Sequence, residues 1–203
     1  MELDHIAIVA ADLDQGARAV SSALGVSMGD RGRHGHYGTH NRLVSLGKGQ
    51  YLEVIAPDPV ALNPRWPRWF GLDDPPAIPQ VGNWIVRVPN LTQTIKDAPI
   101  GTGDAVALER NGIRWEIAVP PDGSLPMEGG WPTCLQWTAG PHPSEMLDDQ
   151  GVRLLELEVQ HPRAEWLAEH LVGRVEGVNL AIRNAPVPKL ECVFETPSGL
   201  VRF

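Results

Sequence analysis

The chain has 203 residues, enough to bury a sizeable core without covalent staples. Its formal net charge of -8, with no block of five like charges, argues against nucleic acid and anionic membrane surfaces as partners. No apolar run approaches the length of a membrane span, and the N-terminus lacks the basic-then-apolar form of a signal peptide. Cys134 and Cys192 both sit in apolar, strand-like runs and read as buried thiols of a cytoplasmic protein. Nineteen prolines and twenty-one glycines suit many short strands joined by turns better than a helical bundle.

In chain order, residues 3–10 alternate as a strand, with Leu3, His5, Ala7 and Val9 expected on one face and Ile6 and Ile8 on the other. A helix follows, capped by Asp12 with Gln15 at its third position, carrying Leu13, Ala17, Val20 and Leu24 at helical spacing, and stopped by Gly25. Then come a glycine- and histidine-rich segment at 32–40, a strand at 41–46, the turn Gly47-Lys48-Gly49, and the strand Tyr51-Leu52-Glu53-Val54-Ile55-Ala56. A proline-rich connector from Pro57 to Gly82 carries Trp66, Trp69 and Phe70; a loop of that length is expected to be functional or disordered, and its tryptophans argue against disorder.

The order strand, helix, three strands then recurs. The second copy runs from Trp84-Ile85-Val86-Arg87-Val88 through a short helix boxed by Asn90 and Gln93 to strands at 105–109, 113–119 and 133–137, with Asn111-Gly112 as a hairpin turn. The third has a strand at 154–159, a helix with Pro162 in its first turn and Gly173 as stop, and strands at 178–182, 190–194 and 199–203. The fold class expected is α+β, built of three tandem βαβββ modules at 1–56, 83–140 and 150–203, with the connector at 57–82.

Within the first module His5 and Glu53 share a face of the outer strands. An imidazole and a carboxylate so placed are a metal pair, an acid/base pair or a hydrogen-bonded core pair. The apolar neighbours of Glu53 require a cation or an arginine beside it, because an ionised carboxylate out of water costs several kcal/mol unless paired. His34 and His36 are spaced to share a strand face and are candidates for binding or chelation, while Trp115 and Trp137 suit the aromatic wall of a small-molecule pocket. Phosphate-binding glycine loops, GxSxG elbows, CxxC pairs and nucleotide fingerprints are absent, so no nucleotide cofactor is expected.

The tandem βαβββ order, the opening Leu3-Asp4-His5-Ile6 and the Tyr51-Leu52-Glu53 strand resemble the vicinal oxygen chelate superfamily, which includes glyoxalase I, extradiol dioxygenases and bleomycin-resistance proteins. A narrower resemblance, to its glyoxalase-like domain family, rests on the order of Gly32-Arg33-His34, Gly38-Thr39-His40-Asn41, Trp69-Phe70-Gly71-Leu72, Arg114-Trp115, Leu135-Gln136-Trp137 and His142-Pro143-Ser144.

The resemblance implies curved mixed sheets closing a cup around a divalent metal (Mn, Ni, Zn, Fe or Mg), with ligands from the first and last strands of each unit. His5 and Glu53 fall on such positions. Superposing the second unit puts Trp84 near the place of His5 and Gln136 near that of Glu53, so the ligand set is incomplete and Gln136 is the best-placed third donor. One implied function is a metal-assisted lyase, isomerase or oxygenase (dioxygenase) acting on a small oxygenated molecule. Glu53 and His5 then serve as catalytic and metal-binding residues, Arg87 or Arg114 holds an anionic group, and His34, Trp115 and Trp137 contact the substrate. The other is a non-catalytic cup of the bleomycin-resistance type that binds or sequesters a small molecule. A third module beside a two-unit cup is expected either to pack against its side or to pair across a homodimer interface.

Overall fold

A computed structural model describes residues 1–61 and 64–203; Leu62 and Asn63 of the connector lie outside the described residues. The first unit comprises β1 (Glu2–Val9), α1 (Leu13–Leu24), β2 (Gly32–His34), β3 (Thr39–Ser45) and β4 (Tyr51–Pro57). The second comprises β5 (Gln80–Arg87), α2 (Leu91–Asp97), β6 (Asp104–Arg110), β7 (Ile113–Val119) and β8 (Thr133–Ala139). In the third are β9 (Arg153–His161), α3 (Ala164–Leu171), β10 (Asn179–Asn184), β11 (Lys189–Thr196) and β12 (Gly199–Arg202).

The local signals act where the residues place them. The Asp12 carboxylate accepts from the Gln15 N–H and Gly25 ends α1 at φ 69°, while the Asn90 side chain accepts from the Gln93 N–H at the start of α2. Asn111 and Gly112, at φ 53° and 80°, make the tight β6–β7 hairpin. β5 begins at Gln80, four residues before the strand expected at Trp84.

The first two units form one eight-stranded sheet in the order β2-β3-β4-β1-β5-β8-β7-β6. Within each, the first strand runs parallel to the last, and the units meet where β1 pairs antiparallel with β5. One face of this curved sheet carries α1, α2 and the third unit; the other is the cup. The third unit keeps the strand-helix-three-strand order but not the pairing. Its sheet runs β10-β9-β11-β12, with β9 flanked by the parallel β10 and the antiparallel β11. It packs against the outer face of the cup, where Leu157, Val159, Cys192 and Phe194 join Trp84, Val86 and Cys134 in a single core. Both cysteines are buried there, and burial pushes the Cys134 thiol up to about 12. No described helix is long and apolar enough to cross a membrane.

Strict alternation fails at one position in β1. Its register against β5 steps from Leu3↔Val86 to His5↔Ile85, so Asp4 is the extra residue of a β-bulge. Consequently Leu3 packs with Ile6 and Ile8 in the outer core, not on the His5 face as alternation predicts, and Asp4 and His5 come within reach of each other.

Candidate active site in the cup

The cavity of the cup measures about 500 Å³ counting its open mouth. Unit one supplies its polar wall. His5 and Glu53, each 5% exposed, approach across β1 and β4 with Nε2 and Oε2 3.6 Å apart, and the His5 ring stacks on Tyr51 at 4.4 Å. The outer atoms of both groups are already held. Asp4 Oδ1 accepts from His5 Nδ1 at 2.7 Å, and Glu53 Oε1 accepts from the Asn41 amide at 2.6 Å. This leaves His5 Nε2 and Glu53 Oε2 as the reactive faces, in surroundings with little water to screen them.

Asp4 is fully buried, and four donors converge on it: His5, Trp137 Nε1 at 2.8 Å, His142 Nε2 at 3.0 Å and Arg87 Nη1 at 3.4 Å. Burial by itself raises its carboxyl, but the hydrogen bonds from His142 and His5, with the His5 charge and Trp137, more than offset this and hold it well below the usual carboxylate range. Asp4 therefore stays ionised, fixes the His5 ring with Nδ1–H outward, and stabilises an imidazolium whenever Nε2 takes a proton. His142 is set in turn by Ser144, whose N–H and hydroxyl both donate to Nδ1. Burial, and then the charges of Asp4 and Glu53, raise the Tyr51 phenol well above its ordinary value, so it remains neutral.

At the mouth, Arg110 at the end of edge strand β6 reaches across to the opposite edge. Its Nη1 donates to His34 Nε2 and to Asn41 Oδ1, each at 3.1 Å. Gly32 leaves room for this contact, since a Cβ there would press on Asn41 Oδ1 and Arg110 Nη1 and displace their side chains. With Nε2 accepting from a guanidinium, His34 carries its proton on Nδ1 and donates to Thr39 Oγ1 at 3.2 Å. Burial, and then the Arg110 charge, lower the His34 pKa to about 3, so it is neutral.

Unit two supplies the aromatic and aliphatic wall. Trp115 and Trp137 sit opposite each other on β7 and β8 with ring centroids 5.8 Å apart. The connector contributes Trp69 and Phe70, stacked at 4.9 Å; Phe70 adopts the left-handed φ of 60°, unusual for a bulky side chain, to lay its ring on the wall.

Several sequence expectations differ from this arrangement. The residue of unit two that faces the cup opposite His5 is Ile85, because Trp84 points into the outer core and donates to the Gly129 carbonyl. Likewise Leu135 and Trp137 line the cup, while Gln136, expected as the third metal donor, faces away and accepts from the Leu91 N–H of α2 at 2.8 Å. A displacement of one residue along a strand exchanges faces, and the superposed positions were off by that one residue. Arg114 is exposed and pairs with Glu109 outside the cup, and Arg87 pairs with Glu2 and Asp4 behind its wall. His36 lies beyond β2 and stacks on Trp66.

Asp4, Asn41 and Arg110 were missed. Asp4 belongs to the wrong face by alternation, Asn41 is a neutral residue in a histidine-rich stretch, and Arg110 ends an exposed edge strand. The donor set bears on the metal that the resemblance implies. Two donors, His5 Nε2 and Glu53 Oε2, converge, but among the described residues no group of three His, Cys, Asp or Glu side chains gathers there, and Asn41 Oδ1 is taken by Arg110. A catalytic metal site with three protein ligands does not fit these residues.

A model of the glyoxalase-like domain matches residues 3–174. The chain belongs to the glyoxalase-like domain family. Its two paired βαβββ units around a cup are the vicinal oxygen chelate fold. Among solved structures, a hypothetical protein from Staphylococcus aureus is similar at TM-score 0.62 and 12% identity, over 93% of this chain and 88% of that one. A methylmalonyl-CoA epimerase from Mycobacterium tuberculosis gives TM-score 0.43 at 19% identity, over 68% of this chain and 88% of its own. The epimerase of Streptomyces coelicolor, in complex with 2-nitronate-propionyl-CoA, gives 0.42 at 14%, over 69% and 95%. No curated protein matches the sequence significantly.

Proposed function

We propose that this glyoxalase-like protein is an enzyme that moves a proton at a carbon next to a carbonyl of a small oxygenated molecule, an isomerase or lyase type of step. The observation that carries the reading is the approach of His5 Nε2 to Glu53 Oε2, 3.6 Å apart, with the other side of each group already bonded. An imidazole nitrogen and a carboxylate oxygen facing each other in a water-poor cup hold a proton on Nε2, or a substrate group, between them. Glu53 Oε2 takes the proton from carbon as its C–H bond breaks, and the electron pair passes to the carbonyl oxygen. The protonated His5 Nε2 donates a hydrogen bond to that oxygen, with ionised Asp4 behind it stabilising the imidazolium. Return of the proton to the same or an adjacent carbon completes an isomerisation. No step is routed through a metal, because the ligand set does not fit one.

The test is solvent exchange. The protein is incubated in deuterium oxide with a panel of small ketones, hydroxyketones and 2-oxo acids, and deuterium at the acidic carbon is followed by NMR. Wild type is expected to exchange at least one of them, and Glu53→Gln to slow this by about 10²-fold or more while staying folded. Exchange unchanged in Glu53→Gln would overturn the reading. A second reading, a cup that binds without chemistry, is favoured by the wholly apolar residues Ile85 and Leu135 at the ligand-type positions of unit two. It predicts ligand binding with no exchange in any variant.

A further inference from the structure

Among the described residues, Arg110 differs from the other arginines around the cup in having no acid of its own. Arg87 is paired with Glu2 and Asp4, and Arg114 with Glu109. Arg110 is half-buried at the mouth, and both of its protein partners, His34 and Asn41, are neutral acceptors. Both also use the same nitrogen, Nη1; among the described residues Nε and Nη2 have no protein partner. Those two nitrogens form the side of the guanidinium that matches the two oxygens of a planar carboxylate.

The nearest acid of the cup is kept from neutralising it. Asn41 stands between them, giving its amide N–H to Glu53 and its carbonyl oxygen to Arg110. The amide orientation follows from its partners, since a carboxylate must be offered a donor and a guanidinium an acceptor. The cup therefore holds a negative group on β4 and a positive group reaching in from the end of β6, linked through Asn41 but not paired. The cavity they share is also lined by the apolar rings of Trp115, Trp69 and Phe70.

From this juxtaposition we infer that the cup takes a molecule with an apolar body and a single carboxylate, and that Arg110 is the residue that recognises the carboxylate through Nε and Nη2. The inference deepens the proton-transfer reading and rests on the same cup, placing the substrate's anionic end at the mouth and its reacting carbon toward Glu53. A planar monoanion is specified because a doubly charged, tetrahedral phosphonate matches the planar fork less well and brings more negative charge toward Glu53.

The experiment is equilibrium binding, read by tryptophan fluorescence and calorimetry, of three probes with one body: benzoate, benzamide and phenylphosphonate. Wild type is expected to bind benzoate about tenfold or more tighter than benzamide, as a charge-assisted bidentate contact should give, and tighter than phenylphosphonate. Arg110→Gln should bring benzoate down to the benzamide level while leaving benzamide unchanged, which also reports that the cup is intact. Arg110→Lys should recover part of the preference, and Arg114→Gln should behave as wild type. Equal binding of benzoate and benzamide, a preference that survives Arg110→Gln, stronger binding of phenylphosphonate, or no binding of benzoate at millimolar concentration would each overturn the inference. Glu53→Gln separates it from the catalytic reading: loss of exchange with benzoate binding retained supports both. Exchange that persists in Glu53→Gln defeats only the catalytic reading.

Discussion

The two halves of the cup are built from units with the same element order and the same internal pairing, yet they have divided their labour. Unit one brings His5, Glu53, Asn41 and His34 to the cavity and holds them by two sets of hydrogen bonds, one from His5 to Asp4 and one from Glu53 and His34 to Asn41 and Arg110. At the matching places unit two brings Ile85, Leu135, Trp115 and Trp137. Of these four only Trp137 takes part in the polar network, its indole N–H donating to Asp4, while Arg87 and Arg110 of the same unit reach that network from the ends of β5 and β6. A pseudo-symmetric scaffold can thus hold an asymmetric cavity: the His5–Glu53 pair stands on one wall and aromatic and aliphatic side chains on the other.

The division can be broken most severely at Asp4. Asp4→Ala removes a buried charge at which His5, His142, Trp137 and Arg87 all aim, and urea denaturation should show a loss of about 3–5 kcal/mol, the scale for breaking a buried charge cluster by deleting one member. On the other wall, Trp115→Ala should cost about 3 kcal/mol through the cavity it leaves, and should weaken ligand binding without abolishing proton exchange by whatever ligand remains bound. The opposite pattern, with exchange lost and affinity kept, would show that the walls are not divided as described.

A pH titration sharpens the comparison further. His34 is held neutral to about pH 3, whereas in the unfolded chain it titrates near its ordinary value of 6.5. Below that value the unfolded state takes up a proton that the folded state refuses. Stability from this site is then complete above pH 6.5 and is lost as pH falls toward 3. Melting temperatures of wild type should fall across that window, and His34→Gln should lose less over the same range. The smallest effect belongs to Gln136. Gln136→Ala deprives the Leu91 N–H of its acceptor and should cost about 1 kcal/mol, read by urea denaturation, with no change in proton exchange or in any response to added manganese, nickel or zinc. A metal response lost in Gln136→Ala would restore that residue to the cup.

Much of the architecture was legible because it is written in local signals. Asp12, Gly25, Asn90 and the Asn111-Gly112 pair act on their immediate neighbours, so helix starts, helix stops and a hairpin can be read from short stretches of sequence. The facing of His5 and Glu53 was legible too, since both sit in strands whose alternation is intact from those residues onward. Four features required the tertiary structure. The bulge at Asp4 arises from the pairing of β1 with β5, strands separated by the rest of the first unit and the connector, and it sends Leu3 to the outer core and joins Asp4 to His5. The facing of Ile85, Leu135 and Gln136 depends on register, where one residue exchanges the two sides of a sheet. The sheet order of the third unit was hidden because the same succession of elements admits more than one pairing. Arg110 enters the site because the curvature of an eight-stranded sheet brings its edge strands β2 and β6 together across the mouth. Sequence by itself determined the elements and the residues able to do chemistry; long-range pairing and curvature decided which of them meet, because those contacts join residues that no local pattern relates.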